Sequence, residues 1–291
     1  MKSLKTPLRY PGGKSKAIKT LAQWYPKVIT EYREPFIGGG SIAIDITKAN
    51  PNISVWINDL YVPLYNFWVQ LRDRGKELSE RVREEKQKTL DEGDRDKVTE
   101  KAKELFNKYK AEIDTYDDFE KAVSFFIMNK CSYSGLTENS TFSKTASNSN
   151  FSLVGADKLA KFSELIKNWK ITNIDYSEVM NAKGYADTFI FLDPPYDIKD
   201  FLYGKNREMH KSFDHDLFAD NVSTCIHKFM ITYNLNDRLL DLYKNYNTME
   251  WKLRYSMAHR GDKGTNENIK TELLVTNYEV NPTNILQEML Y

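Results

Sequence analysis

The sequence predicts an α/β fold, a doubly wound and mostly parallel sheet interrupted by a mainly helical insert. Three observations carry the prediction. A glycine-rich turn at residues 38–40 joins a strand candidate to a helix candidate. Strand signals stop near residue 69 and return near residue 165, and the stretch between them is helical and densely charged.

Each element has its own justification. Phe36 precedes Gly38, Gly39 and Gly40, and the following SIAIDITKAN has the apolar spacing of a helix ending near Asn50 and Pro51. A short strand is expected before the glycines, and ISVWIND, closing on Asp59, supplies the next one. DLYVPLYNFWVQL reads as a helix from Asp59, because Pro63 is tolerated in a first turn. ELSERVREEKQKTL and a Val98, Ala102, Phe106 stripe predict charged helices, followed by the apolar helix FEKAVSFFIMNK.

Residues 137–152, TENSTFSKTASNSNFS, hold eight Ser or Thr and three Asn among sixteen, which is too polar for a core and reads as a loop or flexible hairpin. A helix is expected over 155–169. KITNI, DTFIFLD, KFMITY, MEWKLRY and ELLVTNY then return as strands with helical text between several of them. Residues 1–69 and 166–291 therefore form one discontinuous domain, with 70–165 as the insert.

With 291 residues and 41% hydrophobic content, the chain can bury a substantial core. Cys131 and Cys225 are its two cysteines and stand in no CxxC pair, so neither a disulfide framework nor a zinc site is suggested and a reducing cytoplasm is expected. No apolar run approaches the roughly 18 residues of a membrane helix. The net charge of +1 selects no partner, but residues 1–30 carry seven basic side chains and no acid, which suits an anion or phosphate.

Glycines between strand and helix let backbone approach a ligand, with helix N–H groups facing it. Gly38, Gly40 and Ala43 satisfy a GxGxxA nucleotide spacing, and Asp59 follows at the distance of a ribose-binding acid. This spacing does not distinguish a nicotinamide cofactor from S-adenosylmethionine. Gly13-Lys14-Ser15 resembles the end of a P-loop, but Leu8 stands where that loop needs a glycine.

FIFLDPPYD, residues 189–197, ends an apolar strand on an acid and two prolines. The prolines remove two N–H donors and stiffen the backbone, leaving carbonyls free to accept. Asp193 and the Pro194 carbonyl can then accept both hydrogens of an exocyclic amine while Tyr196 stacks on the ring that bears it. Two such acceptors draw an adenine N6 lone pair out of conjugation and aim it at an electrophilic methyl group, so positioning does most of the catalysis. Asp193, Pro194, Pro195 and Tyr196 are the catalytic candidates. A nicotinamide dehydrogenase would leave DPPY unexplained.

PGGK at 11–14, EPFIGGGS at 34–41, ND at 58–59, FIMNKCSYSGL at 126–136 and DPPY at 193–196 together resemble the Dam-type (D12 class) DNA adenine-N6 methyltransferases over nearly the whole chain. The resemblance implies a Rossmann-like, S-adenosylmethionine-dependent methyltransferase domain carrying an inserted DNA target-recognition domain. Tyr10 and Lys14 would contact the methionine end of the cofactor, and Phe36, Gly38 and Gly40 would wrap it. Asp59 would take the ribose, Asp175 and Tyr176 the cofactor's adenine, and Asp193, which adjoins the cofactor as well, the target base with Pro194 and Tyr196.

In the family a hairpin after the FIMNKCSYSGL position enters the DNA. Here that segment has Lys144 as its only basic residue, with Asn139, Asn148 and Asn150 as candidates for reading adenine edges. WKLRYSMAHRGDKGTNENIK adds Lys252, Arg254, Arg260, Lys263 and Lys270 for the phosphate backbone. Residues 197–213 suit closure over a flipped base.

His210, Asp214, His215 and Asp216 invite a metal reading, but FDHDLF looks like a capped helix start and no metal is expected. The expected activity is site-specific N6 methylation of a flipped-out adenine in double-stranded DNA. The alternatives are the same chemistry on RNA or a protein amide, and a non-catalytic DNA-binding regulator. A cognate restriction endonuclease is a further candidate partner, and the chain is expected to be a monomer or weak dimer.

Overall fold

The sheet forms around an unusual central strand. In the computed structural model, which describes residues 4–135, 141–196, 213–254 and 269–280, β1 (Glu31–Glu34) is buried at all four positions although three of them are charged. Burying these side chains is tolerable because Glu31 and Arg33 pair with each other and Glu34 is hydrogen-bonded. Arg33 donates to Glu31 at 2.9 Å and to the carbonyls of Val179, Ala182 and Lys183, which end a nearby helix, while Glu31 also accepts from the Thr188 hydroxyl.

Around β1 the chain winds in both directions. Helix α1 (Ile18–Ala22) precedes it, and α2 (Ser41–Ala49) connects it to β2 (Ser54–Asn58), with β3 (Lys170–Thr172) beyond. On the other side lie β4 (Thr188–Leu192), β5 (Lys228–Asn234), β6 (Asn247–Arg254) and β7 (Ile269–Thr276). The seven strands run in the order β3-β2-β1-β4-β5-β7-β6. β1 to β5 are parallel, and β7 inserts antiparallel between β5 and β6. The strand order reverses between β1 and β4, where Arg33 pairs with Ile190. A doubly wound sheet binds ligands at that point, beyond the carboxyl ends of the strands. The register therefore brings the residues after Glu34 and those after Leu192 side by side.

Between β2 and β3 stand the helices α3 (Val62–Leu90), α4 (Arg95–Glu112), α5 (Asp118–Cys131), α6 (Lys144–Asn150) and α7 (Leu153–Ile166). α3 starts at Val62 rather than Asp59, because the Asp59 carboxylate accepts from the Tyr61 N–H and forms the turn before it. It then runs through residues 69 and 70, where the insert was expected to begin, and is interrupted at Arg74, whose φ is −130°. Trp68 and Phe67 of α3 share one buried cluster with Ile42 and Ile44 of α2 and with Phe125, Phe126 and Phe162, so the helical block continues the core of one sheet face.

The polar segment is more ordered than its composition suggested. Within it α6 forms on a Ser143 cap that accepts from the Ala146 N–H, with Ala146 and Ser147 buried, and Phe142 bridges to Ser132. The remaining short helices, α8 (Tyr176–Asn181), α9 (His215–Ser223) and α10 (Asp237–Leu242), each carry an Asp or Asn N-cap, which is how FDHDLF was read. No helix among the described residues is long and apolar enough to cross a membrane.

Candidate active site

The glycine corner is built by two contacts that exclude a side chain. Gly40 has φ of +67°, and a Cβ on it would lie 2.7 Å from the Trp68 ring; Gly38 has φ of +46°, and its Cβ would lie 2.8 Å from the Tyr10 ring. The Gly38 N–H donates to Asp59 Oδ2 at 3.1 Å, and its carbonyl accepts from Trp68 Nε1 at 3.2 Å. Beneath it, buried Asn58 uses both amide hydrogens and both oxygen positions to join the Pro35 and Ile174 carbonyls, the Thr172 hydroxyl and the Ile174 N–H. Three loops are thus tied at the ends of β1, β2 and β3. Burial pushes the Asp59 carboxyl up to about 6, against the two backbone N–H groups that it accepts.

The acid before the twin prolines is held from two sides. Both oxygens of Asp193 accept from Lys14 Nζ at 2.7 Å, and Oδ1 also accepts from the Thr232 hydroxyl at 2.8 Å. Lys14 is 3% exposed, Asp193 21%. Below them Glu34 accepts from the Tyr32 hydroxyl and the Ala43 N–H. Burial, helped by the Asp193 charge, pushes Glu34 up to about 8, so it is largely neutral at pH 7 and the floor carries a matched lysine and aspartate. Tyr196, the last residue of DPPY, donates its hydroxyl to Glu272 Oε2 at 2.7 Å.

A cavity of about 590 Å³ joins these parts. Tyr10, Lys14, Phe36, Gly38, Gly40, Asp59, Asp175, Tyr176, Asp193, Pro194, Pro195 and Tyr196, the whole set of sequence-predicted cofactor and catalytic candidates, line it together. Asp175 has also a local task, capping α8 through the Ser177 N–H. Tyr176 packs with Phe36, Phe213 and Phe218, and its hydroxyl accepts from Asn221.

Of the DNA-contact candidates Lys270 lines this cavity, whereas Lys144, Asn148 and Lys252 are not among its lining residues. Lys144 pairs with Asp96 at 2.9 Å and Asn148 accepts from the Thr99 hydroxyl, both against α4, while Lys252 is exposed on β6. Asn139, Arg260, Lys263 and residues 197–212 of the expected closing segment lie outside the described residues, as does the side chain of Arg254. Among the described residues no group of His, Cys, Asp and Glu is arranged to hold a metal.

Sequence reasoning missed Glu34, Thr232 and Glu272. The first stood in a quoted motif, and the other two were absorbed into strand candidates. An acid opening the otherwise apolar run ELLV was the available signal for Glu272.

Comparison with known proteins accounts for the pattern. The model of the D12 class N6 adenine-specific DNA methyltransferase family matches residues 10–257. The type II methyltransferase M.MjaIII of Methanocaldococcus jannaschii is 26% identical over 200 residues, covering 65% of this chain and 68% of its own. M1.LlaDCHI, a type II methyltransferase of Lactococcus lactis subsp. cremoris, is 23% identical over 289 residues, covering 93% and 94%. The modification methylase StsI of Streptococcus sanguinis is 23% identical over 310 residues, which take in 98% of this chain and 44% of that longer protein. With the glycine corner and the DPPY acid meeting in one cavity, and the family model spanning both, the chain belongs to the D12 class of N6 adenine-specific DNA methyltransferases.

Proposed function

We propose that this enzyme binds S-adenosylmethionine between Tyr10, the glycine corner and Asp59, and receives at Asp193, Pro194 and Tyr196 an adenine flipped out of double-stranded DNA. The residues fit the cofactor. Gly38 and Gly40 let bare backbone line the cavity in close packing with the Tyr10 and Trp68 rings, and each oxygen of the cavity-lining Asp59, with one N–H bonded among the described residues, has a further acceptor position for a ribose hydroxyl. Tyr176 and Phe36 offer aromatic surface beside them. When bound, S-adenosylmethionine supplies an electrophilic methyl group.

What the protein does is orient the acceptor. A carboxylate has about four acceptor positions. Lys14 and Thr232 occupy three on Asp193, which leaves one on Oδ2 among the described residues. That position takes one N6 hydrogen of the adenine, and the Pro194 carbonyl takes the other. Held so, the amine presents its lone pair rather than its conjugated plane, and the ionised Asp193 offsets the positive charge that develops on nitrogen. Asp193 need not remove a proton beforehand, because the methylated nitrogen sheds it readily.

The observation that carries this reading is the anchoring of Asp193 within the same cavity as the glycine corner. The α3–α7 block is the proposed target-recognition element, and Lys144, Asn148 and Lys252 are proposed contacts to DNA. Two relatives named type II methyltransferases make a cognate restriction endonuclease the partner to look for.

The test is transfer of labelled methyl to duplex DNA, RNA and protein in parallel, followed by nucleoside analysis and sequencing of the product. N6-methyladenine in duplex DNA at a fixed sequence is expected. Label confined to RNA or protein would overturn the reading.

A further inference from the structure

Asn129 is a costly residue where it stands. It lies in the last turn of α5 among Phe126, Ile127, Met128 and Cys131, all buried, and is itself 0% exposed. A buried amide is tolerated when its polar groups are bonded, and this one commits them to two separate stretches of backbone. Oδ1 accepts from the Arg9 N–H at 2.9 Å, while Nδ2 donates to the Arg9 carbonyl at 2.7 Å and to the Gly135 carbonyl at 2.8 Å. Gly135 is fitted to the same contact, since its φ is +77° and a Cβ on it would overlap the Arg9 carbonyl.

What Asn129 grips is the segment that leads into the cofactor wall. Tyr10 follows Arg9, and its ring packs on the glycine corner and lines the cavity. On the corner side the Thr6 hydroxyl donates to the Gly39 carbonyl; on the α5 side Lys130 Nζ donates to the Pro7 carbonyl and Arg9 Nη1 to the Ser132 carbonyl. Residues 6–10 therefore run between the glycine corner and the end of α5. A residue has two soft backbone dihedrals, and its N–H and carbonyl stand on either side of them. By bonding both groups of Arg9, Asn129 fixes the direction in which the chain leaves for Tyr10. The other bonds hold the segment in place, so losing this one shifts the ring rather than releasing the strap.

We propose that Asn129 is a positioning residue for the cofactor: by fixing the Arg9 backbone it sets where the Tyr10 ring meets S-adenosylmethionine. The inference rests on the cofactor role given to Tyr10 above. It gives the helical block, through the end of α5, a part in building the cofactor site.

The test measures S-adenosylhomocysteine affinity, KM for S-adenosylmethionine, kcat, DNA affinity and Tm for wild type, Tyr10→Ala, Asn129→Leu, Asn129→Ser and the double variant Tyr10→Ala/Asn129→Leu, well below the lowest Tm. Asn129→Leu keeps the side-chain volume and removes all three bonds. It is expected to weaken S-adenosylhomocysteine binding and raise KM for S-adenosylmethionine about tenfold. DNA affinity and kcat at saturating cofactor should stay within about threefold, because Lys14 keeps its bonds to the Gly12 carbonyl and Asp193. In the Tyr10→Ala background the same substitution should add less than about twofold, because its effect passes through the ring.

Wild-type cofactor affinity in Asn129→Leu, beside a clear loss in Tyr10→Ala, would overturn the inference and leave the role of Tyr10 intact. Additive losses in the double variant would overturn it too, as would losses of kcat and DNA affinity as large as that of cofactor binding, the mark of a general loosening. Unchanged cofactor affinity in Tyr10→Ala would sink the role of Tyr10 and this inference together. Should Asn129→Leu not fold, Asn129→Ser leaves room for water to satisfy the three backbone groups without fixing them, and wild-type affinity there is equally decisive against the inference.

Discussion

Replacing Lys14 with methionine tests whether the lysine acts through Asp193. The substitution keeps most of the buried stem and removes the ammonium that meets both carboxylate oxygens at 2.7 Å. Removing one partner of a buried ion pair costs about 3–5 kcal/mol because the other charge is left without compensation. Asp193 is 21% exposed and keeps the Thr232 hydroxyl, so about 2–3 kcal/mol is the expected share here. In a protein of this size that lowers Tm by about 3–5 °C. The catalytic effect should be larger, since an acid freed to shift by about 1 Å no longer holds the amine on line and such a misplacement costs about a hundredfold. Single-turnover methylation, thermal unfolding and cofactor binding on one preparation give the three numbers. A turnover rate within about threefold of wild type, or a loss explained wholly by weaker S-adenosylmethionine binding, would refute the orienting role.

Three further outcomes follow from the same geometry. Gly40→Ala places a Cβ 2.7 Å from the Trp68 ring at a positive φ, and should cost about 2–4 kcal/mol by thermal unfolding and sharply weaken cofactor binding. The Asp59 carboxyl, raised to about 6 by burial, is ionised above that pH and protonated below it. S-adenosylhomocysteine affinity should therefore fall as pH drops through about 6, while Asp59→Asn binds weakly with no such step; a wild-type profile without the step would remove the ribose role. Lys252→Ala should weaken DNA binding alike on all sequences and reduce the salt slope by about one, read from binding isotherms at several salt concentrations.

Much of the fold was legible because each central element announces itself locally. SIAIDITKAN and ISVWIND carry helix and strand periodicity, and the glycines between them mark the turn. The burial of the charged residues of EYRE was not legible, since beyond the Glu31–Arg33 pair the partners of these two come from residues 179–188, far along the chain. α6 was hidden for a related reason. Its seven residues are polar, and what stabilises them is a Ser143 cap and the burial of Ala146 and Ser147 among other helices.

The site shows the same division. The residues that line the cavity were readable as types at spacings. Their mutual bonds were not, because Lys14 reaches Asp193 across 179 positions and Tyr196 reaches Glu272 across 76. The sequence reading gave the Asp193 carboxylate to the base and the cofactor, whereas the fold spends most of it on anchorage to Lys14 and Thr232 and, among the described residues, leaves one acceptor position for chemistry.

The account depends most on Asp193 and the Pro194 carbonyl orienting the adenine amine rather than holding the cofactor. Methyl transfer by Asp193→Ala, measured with the S-adenosylmethionine and DNA affinities of the same preparation, tests it most directly. Transfer should fall by at least about a thousandfold while both affinities stay within about fivefold of wild type. Loss of cofactor binding in step with transfer, or transfer that survives the substitution, would contradict it.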